Sequence, residues 1–129
     1  MSDINKQGLD IFKLAYKSTA AGIAVADMQG KLRKVNPAFV EMWGYEDEGE
    51  VVNRPVIEFH PDPEKANSVA NEVVETGEWE GEILGERKDG TTFTVHVSAS
   101  QITNESGVPV YIMSSFVDIS ERVARERQL

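Results

Sequence analysis

The sequence predicts one α+β domain in which an antiparallel sheet carries short helices on one face. Three observations lead to this class. First, the predicted elements run in the order helix, two strands, short helices, three strands and helix. Second, Gly-containing turns at 28–30 and 88–90 each join two strand-like segments, as in β-hairpins. Third, the last strand, 108–118, is apolar on both faces, which is typical of a central strand covered on both sides.

The amino terminus combines a polar segment, residues 1–8, with a short amphipathic helix predicted over Leu9–Tyr16. Ile11, Phe12 and Ala15 recur at helical spacing, so this helix has one apolar face to bury. We expect it to cover another surface as an N-terminal cap.

The first hairpin leads directly into a very short helix. Its strands are Gly22–Asp27 and Lys31–Val35, and Asn36-Pro37 then begins a helix that stops at Gly44. The apolar side chains of this helix are Phe39, Met42 and Trp43.

In the middle of the chain, the sequence predicts short turns followed by a longer helix. Residues 46–60 are irregular, and Asn53, which tolerates the left-handed conformation, favours two helical turns over a strand. Asp62 is placed to cap the longer helix, which Gly77 ends. The apolar stripe of that helix consists of Ala66, Val69, Ala70 and Val73.

The second hairpin joins Trp79–Arg87 to Thr91–Ile102. Clean alternation in its second strand predicts a core face made of Phe93, Val95, Val97 and Ala99. After the last strand, Glu121–Leu129 is charged and favours a helix, with Asp118 and Glu121 in capping-box register. So short a helix would hardly persist alone, which implies a continuation or a partner.

Composition excludes several classes of function. The net charge of -9 disfavours nucleic acid and anionic membranes as partners. The absence of Cys excludes disulfides, thiolate nucleophiles and Cys-ligated metals. Neither a signal peptide nor an apolar run of about 20 residues is evident, so we expect a cytoplasmic location and no membrane contact by this segment.

Four stretches, in this order and spacing, carry a resemblance to a known family. They are GIAVADMQGKLRKVNPAFVEMWGY from Gly22, HPD from His60, GEWEGEILGERKDGTTF from Gly77 and DIS from Asp118. Together they resemble a PAS domain, the sensory module of many signalling proteins, over about residues 9–121. The resemblance implies a five-stranded antiparallel sheet in spatial order 2-1-5-4-3, with its last strand in the middle. It divides the chain into the N-terminal segment 1–8, a PAS sensor domain at 9–119 and the start of a signalling helix at 120–129.

The resemblance also implies a function and a site. Such a domain regulates a larger signalling protein, for example a histidine kinase or a cyclic-dinucleotide enzyme, and relays a signal here through Asp118 and Ile119 into the last helix. The helices would arch over the sheet and wall a cavity for a small apolar ligand, with strand glycines leaving space. The candidate ligand-binding residues are Phe39, Met42, Trp43, Phe59, Val69, Val73, Gly81, Ile83, Gly85, Val95, Val97, Ile112, Ser114 and Phe116. The same residues would pack a core equally well, so both interpretations stay open.

The family's cofactors are partly excluded. Flavin-binding light sensors of this family carry an adduct-forming Cys after an Asn-Arg type segment, whereas Asn53-Arg54-Pro55 here leads to Val56. Haem sensors usually take an axial His from the long helix, and residues 64–76 contain none. A non-covalent flavin beside Trp43 or Trp79 and a small apolar ligand remain open, and the cofactor stays unknown.

Catalysis and metal binding are not expected. His96, Ser98 and Ser100 share one strand face, but consecutive strand residues rarely converge into a nucleophile and base. His60 and Asp62 give two metal ligands, which make no site.

An alternative function is a ligand-free homodimerisation module. The dimer would form through the outer sheet face, with Tyr111 and Met113, and through the N-terminal and C-terminal helices. In the sensor interpretation the partner is the effector domain of the same chain.

Overall fold

The computed structural model describes residues 2–128 and contains one five-stranded sheet with helices around it. The strands are β1 (Gly22–Asp27), β2 (Leu32–Val35), β3 (Glu78–Glu86), β4 (Thr92–Thr103) and β5 (Pro109–Asp118). The helices are α1 (Ser2–Ser18), α2 (Pro37–Met42), α3 (Pro63–Thr76) and α4 (Ser120–Gln128), and two short 3-10 turns occupy Glu48–Glu50 and Val56–Phe59.

The strands lie in the order β2-β1-β5-β4-β3, and every neighbouring pair is antiparallel. This arrangement confirms the predicted fold class and the central position of β5. The inner face of the sheet packs against α2, the 3-10 turns and α3, and the buried core lies between these layers.

The local signals that predicted the elements act as expected. Asn36 is fully buried and its side-chain oxygen accepts from Phe39 N, which caps α2. The same side chain accepts from Ile23 N and donates to the carbonyls of Tyr16 and Ala21, so it ties three segments together. Asp62 caps α3, and Gly77 ends it at a φ of 93° that a side chain would strain.

The amino terminus differs from its prediction. The helix begins at Ser2 instead of Leu9, so it includes most of the segment that we expected to lie ahead of the domain. The large apolar side chains between Leu9 and Leu14 are not buried: Phe12 is 77% exposed and Ile11 is 67% exposed. Asn36 holds the last turn of α1 through Tyr16 O, and residues 8–15 of the helix are exposed.

The outer face of β5 is also more open than predicted. Tyr111, Met113 and Val117 point away from the core and are 41–46% exposed. The prediction that both faces of β5 are covered is therefore wrong for the single chain. A strand can be central by its hydrogen bonds and still present one face to solvent, as antiparallel sheets often do.

Candidate functional site: a cavity between the sheet and α3

A row of small side chains crosses the inner face of the sheet. The strand register sets Ala24 opposite Ser114 and Ser114 opposite Ala99, across β1, β5 and β4. The next row along contains Phe116 opposite Val97, whose side chains are larger. A hollow lies over Ser114 and Ala99, and Phe116 and Val97 border it.

This hollow is a cavity of about 80 Å³ between the sheet and α3, hereafter the inner cavity. Seven of the candidate ligand-binding residues line it, namely Val69, Val73, Ile83, Val97, Ile112, Ser114 and Phe116. The candidate set omitted Ala26, Gly30, Val56, His60, Ala66, Ala70 and Ala99. Periodicity had placed Ala66, Ala70 and Ala99 on core-facing sides, and that signal could have added them to the set.

Aromatic side chains occupy the other half of the inner face. Phe39 and Trp43 stack with ring centroids 4.4 Å apart, and Phe116 meets both rings edge-on. Trp43 is fully buried and donates from Nε1 to Phe59 O over 3.0 Å. Phe39, Trp43, Phe59 and Val95 are therefore core residues beside the inner cavity, and Met42 packs against the same core.

The two strand glycines do not leave space for a ligand, contrary to the sequence interpretation. A Cβ added at Gly85 would lie 2.8 Å from the Phe93 ring and 3.0 Å from Trp43. A Cβ at Gly81 would lie 2.8 Å from the ring of Trp79. Each glycine admits an aromatic ring of the protein itself, because the missing Cβ lets the ring lie flat against the strand.

His60 is the cavity residue with the most distinctive chemistry. Its Nδ1 lies 3.1 Å from Leu84 O, and its ring meets Trp43 edge-on. Burial lowers the pKa of His60, and the bond to Leu84 O opposes that shift. A carbonyl oxygen only accepts hydrogen bonds, so Nδ1 carries the proton and the neutral ring presents Nε2 as an acceptor.

The size of the inner cavity limits what it can hold. A water molecule takes about 30 Å³ in the liquid, so 80 Å³ corresponds to roughly three non-hydrogen atoms. Sites for larger organic ligands span about 300–1,000 Å³. The stacked Phe39 and Trp43 fill the space beside the inner cavity.

The residues weighed for catalysis lie along the outer face of β4, and His60 and Asp62, weighed for metal binding, lie at the start of α3. His96 Nε2 faces Glu80 Oε1 at 3.2 Å, and Ser98 is exposed on the same outer face of the sheet. Within residues 2–128, no group of three His, Asp or Glu side chains could hold a metal ion. In the same range, no helix is long and apolar enough to cross a membrane.

The start of α4 is fixed to β4. Ile119 is buried, its N–H donates to Thr94 O over 3.0 Å, and Thr94 N donates to Ser120 Oγ over 3.1 Å. Asp118 Oδ1 accepts from Ser120 N, the first residue of α4, at i+2 instead of the i+3 position that the predicted capping box uses. This short Asx-type contact satisfies the first N–H of the helix. Asp118 also faces Arg87, whose Nη2 lies 3.5 Å from Oδ2.

Known proteins share this architecture. A family model described as PAS domain matches residues 20–121. The PAS domain of a protein from Colwellia psychrerythraea matches with a TM-score of 0.81 and 27% identity, over 88% of this chain and 98% of that one. An RNA-binding Light-Oxygen-Voltage receptor matches with a TM-score of 0.81 and 26% identity, over 92% of this chain but 35% of the receptor.

A third structure is a LOV domain from the blue-light activated histidine kinase of Erythrobacter litoralis EL346. It matches with a TM-score of 0.68 and 25% identity, over 78% of this chain and 96% of that one. The family model covers most of the chain, and the sheet order agrees with it. This chain therefore belongs to the PAS domain family, whose members are sensory modules of signalling proteins.

Proposed function

We propose that this chain is the sensor module of a larger signal-transduction protein, such as a histidine kinase or a cyclic-dinucleotide enzyme. A small, mostly apolar molecule occupies the inner cavity. Its binding changes the position of α4 relative to an effector domain. The single observation that carries this proposal is that the cavity touches β5, the strand whose end continues into α4.

The mechanism requires the ligand to bind two arrangements of the domain differently, because only differential affinity shifts an equilibrium. Val69 and Val73 of α3 form one wall of the cavity, and Ile112 and Ser114 of β5 form the other. If a ligand fits better at one separation of the two walls, its binding stabilises that separation. The separation of α3 from β5 is therefore the coordinate that the ligand controls.

The relay runs along β5 to the start of α4. Phe116 contacts both the cavity and the aromatic half of the core, and Asp118 lies two residues further on. Ile119 is buried and bound to Thr94, so a shift of β5 against β4 moves the first turn of α4. Asp118 and Ile119 are the relay residues in this mechanism.

We assign no catalysis to the domain. The support is geometric: His96 faces a carboxylate of Glu80, and the cavity is lined almost entirely by apolar side chains. Ser114 and His60 are its polar side chains, and they lie in a space with room for a few atoms. Such a space suits binding a small molecule.

Ser114→Leu tests the proposal because a leucine would fill most of the inner cavity. The matched control is Ser115→Leu, since Ser115 is the next residue of β5 and faces the outer side of the sheet. In the full-length protein we expect Ser114→Leu to fix effector output at one level and Ser115→Leu to leave regulation intact. Effector output that responds normally in the Ser114→Leu protein would contradict the proposal.

A second candidate function is homodimerisation without a ligand. The observation that favours it is the apolar side chains of α1 and of the outer face of β5, which the single chain leaves exposed: Leu9, Ile11, Phe12, Leu14, Tyr111, Met113 and Val117. A stable interface buries about 1,200–2,000 Å² in total, which such surfaces could supply in a second copy.

Native mass spectrometry separates the two candidates. A retained small molecule that Ser114→Leu abolishes supports sensing, and a bare dimer supports assembly. Phe12→Lys combined with Met113→Lys would place charges on both apolar surfaces, and light scattering should then report a monomer. A dimer that persists in this double variant would contradict assembly through these faces.

A further inference from the structure

A second pocket, of about 360 Å³, adjoins the inner cavity at the start of α3 and along β3. We call it the outer pocket. His60, Ala66 and Ile83 line both spaces. One layer of side chains therefore separates the outer pocket from the inner cavity.

The three dividing residues are held to different degrees. Ala66 belongs to α3 and Ile83 to β3, so regular backbone hydrogen bonds fix them. His60 lies outside any helix or strand, between the second 3-10 turn and α3, with an extended backbone at φ -130° and ψ 140°. Its side chain makes one hydrogen bond, to Leu84 O. A rotation of this side chain would join the two spaces without moving the sheet or α3.

We propose that the inner cavity and the outer pocket are two compartments of one ligand site, which the His60 side chain divides. The ligand is a small amphiphile, with an apolar tail in the inner cavity and a hydroxyl-bearing head in the outer pocket. This inference rests on the proposed function and extends it by naming the ligand class. The outer pocket lies within the range of about 300–1,000 Å³ that is common for organic ligands, and joining it to the inner cavity adds an apolar end to the site.

The side chains that line each compartment indicate which end of the ligand binds there. Valine, isoleucine and alanine side chains dominate the inner cavity, which suits a tail of roughly three carbon atoms. The outer pocket contains Asp62, Lys65, Glu82 and Thr94. Because Asp62 and Glu82 are acidic and Lys65 is basic, an uncharged head that both donates and accepts hydrogen bonds meets partners without a repelled charge.

Thr94 gives the head group a route to α4. It lines the outer pocket, its carbonyl accepts from Ile119 N, and its N–H donates to Ser120 Oγ. A head group held at Thr94 would therefore act on the residue of β4 that anchors the first turn of α4. This route is separate from the one along β5.

The test uses linear 1-alkanols, from ethanol to hexan-1-ol, titrated into the ¹⁵N-labelled chain and followed by NMR. With two compartments, affinity should rise by about fourfold per added methylene up to hexan-1-ol, with shifts at the Thr94 amide. His60→Ala should tighten hexan-1-ol several-fold and leave ethanol unchanged. His60→Gln retains a donor for Leu84 O and should behave as the unmodified chain does.

Ala66→Leu provides a second variant that does not depend on His60. The larger side chain would block the passage between the inner cavity and the outer pocket. Hexan-1-ol should therefore bind at least tenfold more weakly, while the affinity for ethanol stays unchanged. Affinity that peaks at propan-1-ol, in the unmodified chain and in His60→Ala alike, would overturn the inference and leave the proposed sensor function standing. Binding of none of the alkanols would overturn both.

Discussion

The inner face of the sheet has two halves. The same sheet forms both, but their side chains pack differently. In one half, Phe39 and Trp43 of the α2 region pack against Phe116, and their rings fill the space. In the other half, Ala99 and Ser114 meet across the strands and leave the inner cavity under α3. The difference shows that side-chain size within one cross-strand row decides whether this fold encloses a core or a ligand space.

The largest effect should come from removing the centre of the aromatic half. Trp43→Ala deletes a fully buried ring that stacks on Phe39 and hydrogen-bonds to Phe59 O. We expect the free energy of unfolding to fall by about 3–5 kcal/mol, measured by urea denaturation. Trp79→Ala is the control, because Trp79 is only partly buried and lies at the edge strand β3. An equal loss in both variants would contradict the division into two halves.

Two glycines of β3 sharpen the comparison. Gly85→Ala would bring a Cβ to within 3.0 Å of Phe93 and Trp43, which are both buried, and should cost about 1–3 kcal/mol through overpacking. Gly81→Ala meets only the ring of Trp79, which is partly exposed and has room to turn away. Thermal denaturation should therefore show a clear drop in Tm for Gly85→Ala and a smaller one for Gly81→Ala. A larger drop in Tm for Gly81→Ala than for Gly85→Ala would mean that the aromatic half contains space for an added methyl group.

Two alanines in one row compare a filled position with an open one. Ala24 is buried in β1, against which α2 packs, whereas Ala99 lines the inner cavity. Ala24→Val should cost about 1–3 kcal/mol, because extra methyl groups there meet packed atoms. Ala99→Val should change stability by less than about 1 kcal/mol, because the added methyl groups enter the hollow. Equal costs in chemical denaturation would indicate that no hollow exists at Ala99.

The smallest effect concerns His60, which lies where the two halves meet. Its pKa is lowered by burial from the usual value of about 6.5, so the unfolded chain binds the proton more readily than the folded one. The contribution to stability is therefore complete above about pH 6.5 and is lost as the pH falls further. His60→Gln should flatten this part of the stability-pH profile.

Measurement of urea midpoints from about pH 7.5 to pH 5 provides the check. The Gln variant keeps Asp62, Lys65 and Glu82 of the outer pocket, so the difference between the two profiles isolates the histidine. Parallel profiles would show that the His60 imidazole has the same pKa in the folded and the unfolded chain, which would contradict the prediction.

Local signals predicted most of the architecture. Gly-containing turns marked both hairpins, Asn36 and Asp62 marked the starts of helices, and the two-faced apolar pattern placed β5 at the centre. These features depend on residues close together in the chain, so one segment is enough to reveal them. The same periodicity selected residues of α3 and β5 that line the inner cavity, and it also selected Gly81 and Gly85, whose open space aromatic rings of the protein occupy.

The sequence by itself determined which residues of β4 and α3 face the core, because alternation along a strand and spacing along a helix are properties of a single segment. Only the tertiary structure decided where the core has a hollow. Ser114 of β5, Ala99 of β4 and Val73 of α3 belong to different elements, and only the tertiary structure sets them around one hollow. The direction in which an aromatic ring fills a gap likewise depends on neighbours from several elements, as at Gly85 between Trp43 and Phe93. The strand pattern alone contains neither fact, because both arise from contacts between segments.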